Sequence, residues 1–471
     1  MLRAWKLEVQ LDEQSEKAIY LQVADAIIKD IHSGRLKSGD ALPGSRYLSQ
    51  QLKLNRNTIV EALNVLLIEG WLESKERQGT FVAATYPFHP DAPKKGVRLT
   101  AAPATKPWRI FFDDGYPDSK IAPIAELARA YRQIFNRKAK WQMMGYGTEL
   151  GDLEFRKEMA QMLNHQRGMH TQAGMLCITR GSQMALYLVA QCLLEKGDYI
   201  IIENPGYKPA WKAFESTGAQ LLPVNVDEEG MMIADVIRHL KSRKKIRAIY
   251  LTPHRQYPTT VTLSLQRRLK LVELSNEYGF TIVEDDYDNE FHFGYRPVLP
   301  LSTFTELKKY VYIGTMSKVV APALRIGYLA TSDLQLLDRI AALRKIIDVQ
   351  GDNIMEQAVL QLIREGTIKR HIKKASLHYK ARRDAAAVLL QKYLKNKATW
   401  HIPDGGLAFW IMPKVPVDWC LISEKLQAKG IKIICPDSYS YDAPVNGIRL
   451  GYASLGEEQL EEGIQALAKL L

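Results

Sequence analysis

Tyr310-Val-Tyr-Ile-Gly-Thr-Met-Ser-Lys318-Val-Val-Ala-Pro-Ala-Leu-Arg325-Ile-Gly-Tyr-Leu decides how the rest of the chain is read. It opens as a short β-branched strand, turns at Gly314 through two hydroxyl residues, and then sets Lys318 ahead of Arg325. The apolar neighbours of Lys318 disfavour an ammonium and lower the amine's pKa. A lysine of that kind forms an imine with an aldehyde. Thr315, Ser317 and Arg325 are residue types that grip a phosphate. An aldehyde and a phosphate on one small molecule describe pyridoxal 5′-phosphate. Taken alone, the stretch reads more simply as a surface lysine after a strand, because short motifs recur by chance.

A second stretch upstream changes the balance. Phe280-Thr-Ile-Val-Glu-Asp-Asp-Tyr-Asp-Asn-Glu-Phe-His292 reads as a buried strand that ends in acid. Carboxylates at the carboxyl end of a strand in an α/β sheet face the crevice where ligands bind. A carboxylate beside a pyridinium nitrogen keeps the ring cationic and makes it an electron sink, and Asp285 is placed for that role. Tyr287, two residues on and on the same side of an extended path, can donate to the ring hydroxyl. A solvated acidic loop is the plain alternative, and the strand-acid element followed by a strand-lysine element weakens it.

In the order Asn204-Pro-Gly-Tyr207, Glu284-Asp-Asp-Tyr-Asp-Asn-Glu-Phe291, Gly314-Thr-Met-Ser-Lys318, these segments resemble fold-type I aminotransferases. More closely they resemble the MocR/GabR branch of GntR-type transcription regulators, which fuses a winged helix to an aminotransferase-like domain. The resemblance spans nearly the whole chain. It implies a mainly α winged helix-turn-helix with a β wing, then an α/β fold-type I domain with a small C-terminal α+β subdomain. Expected boundaries are 1–84 for the reader domain, 85–108 for a linker and 109–471 for the aminotransferase-like domain, its small subdomain starting near 345.

Outward from the lysine, Met175-Leu-Cys-Ile-Thr-Arg-Gly181-Ser182-Gln183 is a strand running into a helix start, where free N–H groups suit the phosphate. Tyr207 is expected to stack on the ring. By the resemblance, Tyr146 reaches the cofactor phosphate of the other subunit in a head-to-tail homodimer, and a buried interface tyrosine is nearly as good a reading. Arg449, in Gly447-Ile-Arg-Leu-Gly-Tyr, falls where the family carries an arginine for a substrate carboxylate. That position implies an amino-acid-like ligand, with a structural ion pair as the alternative. Pro209 occupies the place where GABA-sensing members use an arginine, which argues against GABA. Tyr257-Pro258 replaces the Asn-Pro of aminotransferases and Thr260 the glycine often found after it. These departures leave the ring oxygen to Tyr287 and speak against efficient transamination.

At the other end, Ile19 to Ile31 has helical apolar spacing. Leu42-Pro-Gly-Ser is a turn, with Ser45 expected to cap a short helix through about Lys53. Asn55 caps a second helix from Arg56 to Glu69 that buries Ile59, Leu63, Leu66 and Leu67. Two short helices joined by a tight turn make a helix-turn-helix, and Trp71 to Val82 reads as the wing hairpin. The second helix presents its N-terminal residues to base edges, here Arg56, Asn57 and Thr58, suited to guanine and adenine. Arg46 and Thr80 are placed for DNA phosphates. A winged helix that contacts protein, or solvated arginines, is the alternative.

Composition sets the bounds. The chain has 471 residues, 46% of them apolar, and a net charge of +12, which suits a polyanionic partner. Residues 1–84 nevertheless hold 11 Lys or Arg against 11 Asp or Glu, so DNA contact there depends on placement and not on the total. No apolar run reaches the ~18 residues of a membrane span. The first residues mix charge into their apolar positions, unlike a secretory signal. Cys177, Cys192, Cys420 and Cys435 lack C-x-x-C spacing and read as thiols in a reducing cytoplasm, with no metal site. Residues 85–108 carry five prolines, and a linker of that length reaches at most ~80 Å, enough to place the reader on a partner subunit. The sequence thus points to a cytoplasmic, pyridoxal-phosphate-dependent regulator that binds an operator in double-stranded DNA and senses an amino acid, an amine or the cofactor itself. A working aminotransferase with an accessory DNA-binding domain is the second reading.

Overall fold

The computed structural model describes residues 17–75, 78–85, 108–136, 145–242, 244–288, 290–294 and 298–471, with isolated positions 5, 7, 9, 11, 12 and 15 before them. The chain divides into two compact units, Met1–Thr105 and Lys106–Leu471. Apart from its end residues, the segment expected as a linker over 85–108 lies outside the described residues.

In the first unit, helices α1 (Ile19–His32), α2 (Ser45–Leu52) and α3 (Arg56–Ile68) precede a hairpin of β1 (Leu72–Lys75) and β2 (Gly79–Val82). The strands are antiparallel, with Leu72 opposite Val82. Val23, Ile27, Leu48, Ile59, Leu63 and Leu66 share one core. They lie on one face of each helix because helical neighbours recur three and four residues apart. Leu67, expected inside, is only partly buried, whereas Ala62 is fully buried. Asn55 caps α3 by accepting from Asn57 N at 2.9 Å. Ser45 does not cap α2. It is the first helical residue, and Gly44 stands extended at the cap position with no side-chain bond. The reason lies in the wing: Ala41 bridges to Phe81, and Leu42 N donates to Thr80 O at 2.8 Å. This pairing holds the chain extended up to the helix start and ties the entry of α2 to the wing.

The second unit is built on an eight-stranded sheet. Its strands are β4 (Leu176–Thr179), β5 (Tyr199–Asn204), β6 (Gln220–Asp227), β7 (Gly230–Met231), β8 (Ile246–Leu251), β9 (Thr281–Asp286), β10 (Tyr310–Thr315) and β11 (Gly327–Thr331); β3 (Ile110–Phe111) lies apart. The order is β4-β11-β10-β9-β8-β5-β6-β7. β10, β9, β8, β5 and β6 run parallel, whereas β11 is antiparallel to both neighbours and β7 to β6. Alternation along a strand feeds two cores: Ile249 and Leu251 enter one, Ala248 and Tyr250 the other. Both faces are covered, as parallel strands require. The carboxyl ends of β5, β8, β9 and β10 therefore meet at one edge of the sheet.

A smaller sheet joins β12 (Ala398–Thr399), β13 (Ala408–Pro413) and β15 (Ile448–Gly451), and β14 (Ile431–Lys432) pairs in parallel with β3. Ile110 and Phe112 consequently share the core of Ala375, Phe409 and Ile448. The helix Asn353–Arg364 instead buries Ala358, Val359 and Leu362 in the large core beside Leu127 and Ala130. The small core thus opens near Ala375, where about 345 was expected, and it recruits the residues that begin the unit.

Candidate functional site

Parallel pairing of β9 with β10 sets Asp285 opposite Ile313 and Asp286 opposite Gly314. The acid-bearing and lysine-bearing turns thus leave the sheet side by side, at the position where α/β sheets bind ligands. A cavity of about 260 Å³ opens there. Lys318, Asp285, Tyr287, Ser317 and Arg325 line it, joined by Ser182 and Tyr207 from the turns after β4 and β5. These residues lie up to 143 positions apart in sequence, counted from Ser182 to Arg325, and the strand order brings them together.

Lys318 Nζ donates to Gly115 O at 2.6 Å and lies 5.3 Å from the centroid of the Tyr116 ring. Burial lowers its pKa, and nearby carboxylates, Asp288 first among them, oppose that shift. Asp285 Oδ2 accepts from Tyr250 OH at 2.9 Å. Burial pushes the Asp285 carboxyl up to about 7 despite that bond. Asp285 Oδ1, Tyr287 OH and Ser317 Oγ are buried with no hydrogen-bond partner among the described residues. Buried polar atoms without partners are rare enough that each calls for an explanation. A cationic ring nitrogen, a ring oxygen and a phosphate would satisfy these three in turn, so the residues present fit pyridoxal 5′-phosphate.

The phosphate end rests on two glycines. Gly181 takes φ +81° immediately before the helix Ser182–Leu193. A Cβ on Gly181 would stand 3.0 Å from Arg325 Nη2, and one on Gly327 2.4 Å from the Gly181 carbonyl carbon. Backbone, helix N-terminus and guanidinium thus converge only because these side chains are absent. Arg325 holds its place by donating to Arg180 O at 3.1 Å. Gln183 contributes its position in the first helical turn but not its side chain, whose amide donates to Pro209 O at 3.0 Å.

Two expected residues stand elsewhere. Tyr146 is 89% exposed and does not line the cavity of its own chain. Arg449 is 1% exposed and is not part of the lining. Its Nε donates to Asp114 O at 3.3 Å and Nη1 to Pro258 O at 3.1 Å, while Nη2 lies 3.9 Å from Asp288 Oδ2. It packs behind Tyr257 and Tyr287, 5.2 and 5.8 Å from their ring centroids. Conversely, Asp114, Tyr116, Tyr250, Thr252 and Tyr257 line the cavity without having been singled out for it. The Asp-Asp-Gly-Tyr run was the one local signal for the first two. Thr260, in place of the usual glycine, takes φ +64° and pairs through Oγ1 with His401 Nε2 at 3.0 Å.

In the first unit, Arg46, Arg56 and Asn57 are exposed, and Thr58 and Thr80 are partly so. Arg56, Asn57 and Thr58 form the first turn of α3, and the Leu42–Thr80 bond links the start of α2 to the wing.

Residues 115–467 match aminotransferase class I and II. The chain belongs to that family. Residues 19–82 match the bacterial regulatory proteins of the gntR family. With both parts in one chain, this is a GntR-type DNA-binding transcription regulator fused to an aminotransferase-like domain, the architecture of the MocR/GabR-type branch. The chain is 28% identical to the probable rhizopine catabolism regulatory protein MocR of Rhizobium meliloti, over 97% of this chain and 94% of that protein. It is 26% identical to the HTH-type transcriptional regulator TauR of Rhodobacter capsulatus, over 94% and 95%. Among solved structures, kynurenine aminotransferase of Pyrococcus horikoshii, in complex with PMP, superposes with a TM-score of 0.72 at 28% identity, covering 78% of this chain and 91% of that one. The family and the donor set at the cavity together support pyridoxal 5′-phosphate as the cofactor. Among the described residues no helix is long and apolar enough to cross a membrane.

Proposed function

We propose that the aminotransferase-like domain of this regulator is a sensor, and that it reports a small amine to the DNA-binding domain through its cofactor site. The observation that carries this reading is the set of three unpartnered buried atoms around Lys318: Asp285 Oδ1, Tyr287 OH and Ser317 Oγ. Lys318 would hold the cofactor covalently, Asp285 its ring nitrogen and Tyr287 its ring oxygen. Ser182, Ser317, Arg325 and the backbone at Gly181 and Gln183 would hold its phosphate, and Tyr207 would face its ring. When bound, the cofactor supplies an aldehyde for which Lys318 and an incoming amine compete, and a ring that absorbs visible light. Burial lowers the Lys318 pKa and so favours the unprotonated amine, the form able to attack a carbonyl. The Gly115 carbonyl orients Nζ in the cavity. Tyr250 fixes one oxygen of Asp285 and leaves the other directed to the ligand.

DNA is read in this proposal by Arg56, Asn57 and Thr58 in the major groove, with Arg46 and Thr80 on phosphates. A head-to-tail homodimer would bring the exposed Tyr146 to the partner's cavity. Half-sites one turn apart would lie ~34–36 Å from each other.

The test is the visible spectrum of the full-length protein and of Lys318→Ala with pyridoxal phosphate present. The wild type should show a band that borohydride fixes onto Lys318, and the variant should lack it. No band in either protein would refute the cofactor site. A working aminotransferase is the second reading, favoured by 28% identity to aromatic-amino-acid aminotransferase 1 of Thermococcus litoralis over 76% of this chain and 86% of that one. Keto-acid formation over many turnovers would support it.

A further inference from the structure

The turn Asp113-Asp114-Gly115-Tyr116 sets two carboxyls side by side and employs them differently. Asp113 is fully occupied: Oδ1 accepts from Gly115 N at 2.8 Å and Tyr116 N at 2.7 Å, and Oδ2 accepts from Ser454 Oγ at 2.7 Å. It shapes the turn. Asp114 lines the cavity. The Tyr257 hydroxyl lies near enough to hydrogen-bond it, but Asp114 Oδ1 is buried with no partner among the described residues. The Asp114 group that engages Arg449 is the backbone carbonyl.

The cavity that Asp114 lines has an aromatic wall. Tyr116, Tyr207, Tyr250, Tyr257 and Tyr287 all line the cavity. Tyr257 meets Tyr207 edge-on at 5.2 Å and Tyr287 at 6.1 Å between centroids. Ring faces attract an alkylammonium, and a carboxylate adds a charge-assisted hydrogen bond to it. The cations nearby have other partners. Arg449 is turned to two carbonyls and Asp288, Arg325 serves the phosphate end, and Lys318 bonds Gly115 O. An incoming carboxylate would meet a like charge at Asp114, while the Arg449 guanidinium lies outside the cavity lining, packed against the Tyr257 and Tyr287 rings, an arrangement that selects against it.

We propose that the ligand sensed here is an amine with a second cationic nitrogen, of the α,ω-diamine class, and that Asp114 Oδ1 accepts from that second ammonium. This narrows the amine-sensing reading above and rests on it. It also replaces the amino-acid-like ligand that the position of Arg449 implied.

The full-length protein loaded with pyridoxal phosphate is titrated with 1,4-diaminobutane, butylamine and 4-aminobutanoate, following the visible band and the heat of binding. The diamine should half-saturate at about 10- to 100-fold lower concentration than butylamine, the range expected for one hydrogen bond to a charged group. The 4-aminobutanoate should bind most weakly. In Asp114→Asn the ratio of diamine to butylamine affinity should collapse toward unity. Equal affinities in the wild type, or tightest binding by 4-aminobutanoate, would overturn the diamine assignment and leave amine sensing standing. A band that no amine moves would overturn both. If Asp114→Asn does not fold, the wild-type ranking alone decides.

Discussion

Replacing Asp285 by asparagine should stabilise the cofactor-free protein at alkaline pH while weakening its hold on the cofactor. The folded-state carboxyl stands at about 7 against an ordinary 3.8, because burial disfavours its charge. The folded form therefore retains a proton that the unfolded chain releases. Stability from this group is complete below pH 3.8 and declines as pH rises to about 7. Between pH 5 and pH 7 the decline spans two units at 1.36 kcal/mol each, about 3 kcal/mol at most. Asparagine has no such slope. Its carbonyl oxygen can accept from Tyr250 OH, and its amide replaces an unpartnered oxygen by an unpartnered donor at a pH-independent cost of about 1–3 kcal/mol. Urea unfolding of the cofactor-free full-length proteins at pH 5 and pH 8 should show the variant gaining about 3 kcal/mol on the wild type across that interval. Saturating cofactor should reverse the order, since only the carboxylate can pair with a cationic ring nitrogen. A stability difference that is the same at both pH values would refute the reasoning.

Other substitutions probe the remaining parts. Gly181→Ala should cost about 1–3 kcal/mol from the backbone alone, because φ +81° with ψ 168° is a conformation essentially confined to glycine, and it should push the Arg325 guanidinium out of the cradle. Spectroscopic titration should show cofactor affinity down by at least about tenfold, as for a lost charge-assisted bond. Arg56→Ala should weaken binding to a selected operator by about 1–3 kcal/mol and reduce its preference over scrambled DNA, read by fluorescence anisotropy. Arg46→Ala should weaken both DNAs alike and flatten the salt dependence. Asn55→Ala removes the acceptor for Asn57 N and should cost about 1 kcal/mol in thermal unfolding of the first unit.

What the sequence disclosed follows a physical line. Strand-ending acids, the strand-lysine turn and the Gly-Ser helix start are local signals, because each depends on residues adjacent in the chain. Residues joined only by strand pairing were not legible. Tyr250 lies opposite Val283 and reaches Asp285 diagonally, a relation set by sheet order and not by spacing. The length of α2 was readable but its cap was not, because a bond from Leu42 to the wing overrides the preference of Ser45 for the cap position. Arg449 shows the limit of position as a guide. It occupies the family's place, yet its nitrogens are directed to Asp114 O, Pro258 O and Asp288. Gln183 lies at the expected helix start with its amide turned to Pro209.

The three unpartnered atoms around Lys318 have a consequence for the life of the protein in a cell. A cavity left with unmatched donors and acceptors stabilises the empty fold less than the filled one, and binding that favours the native state raises its stability by mass action. Shifts of one or two kcal/mol change how much of a protein survives proteolytic surveillance. A cell short of cofactor would therefore hold fewer copies of this regulator as well as inactive ones. Nutritional state would be registered twice by one pocket, once in occupancy and once in abundance.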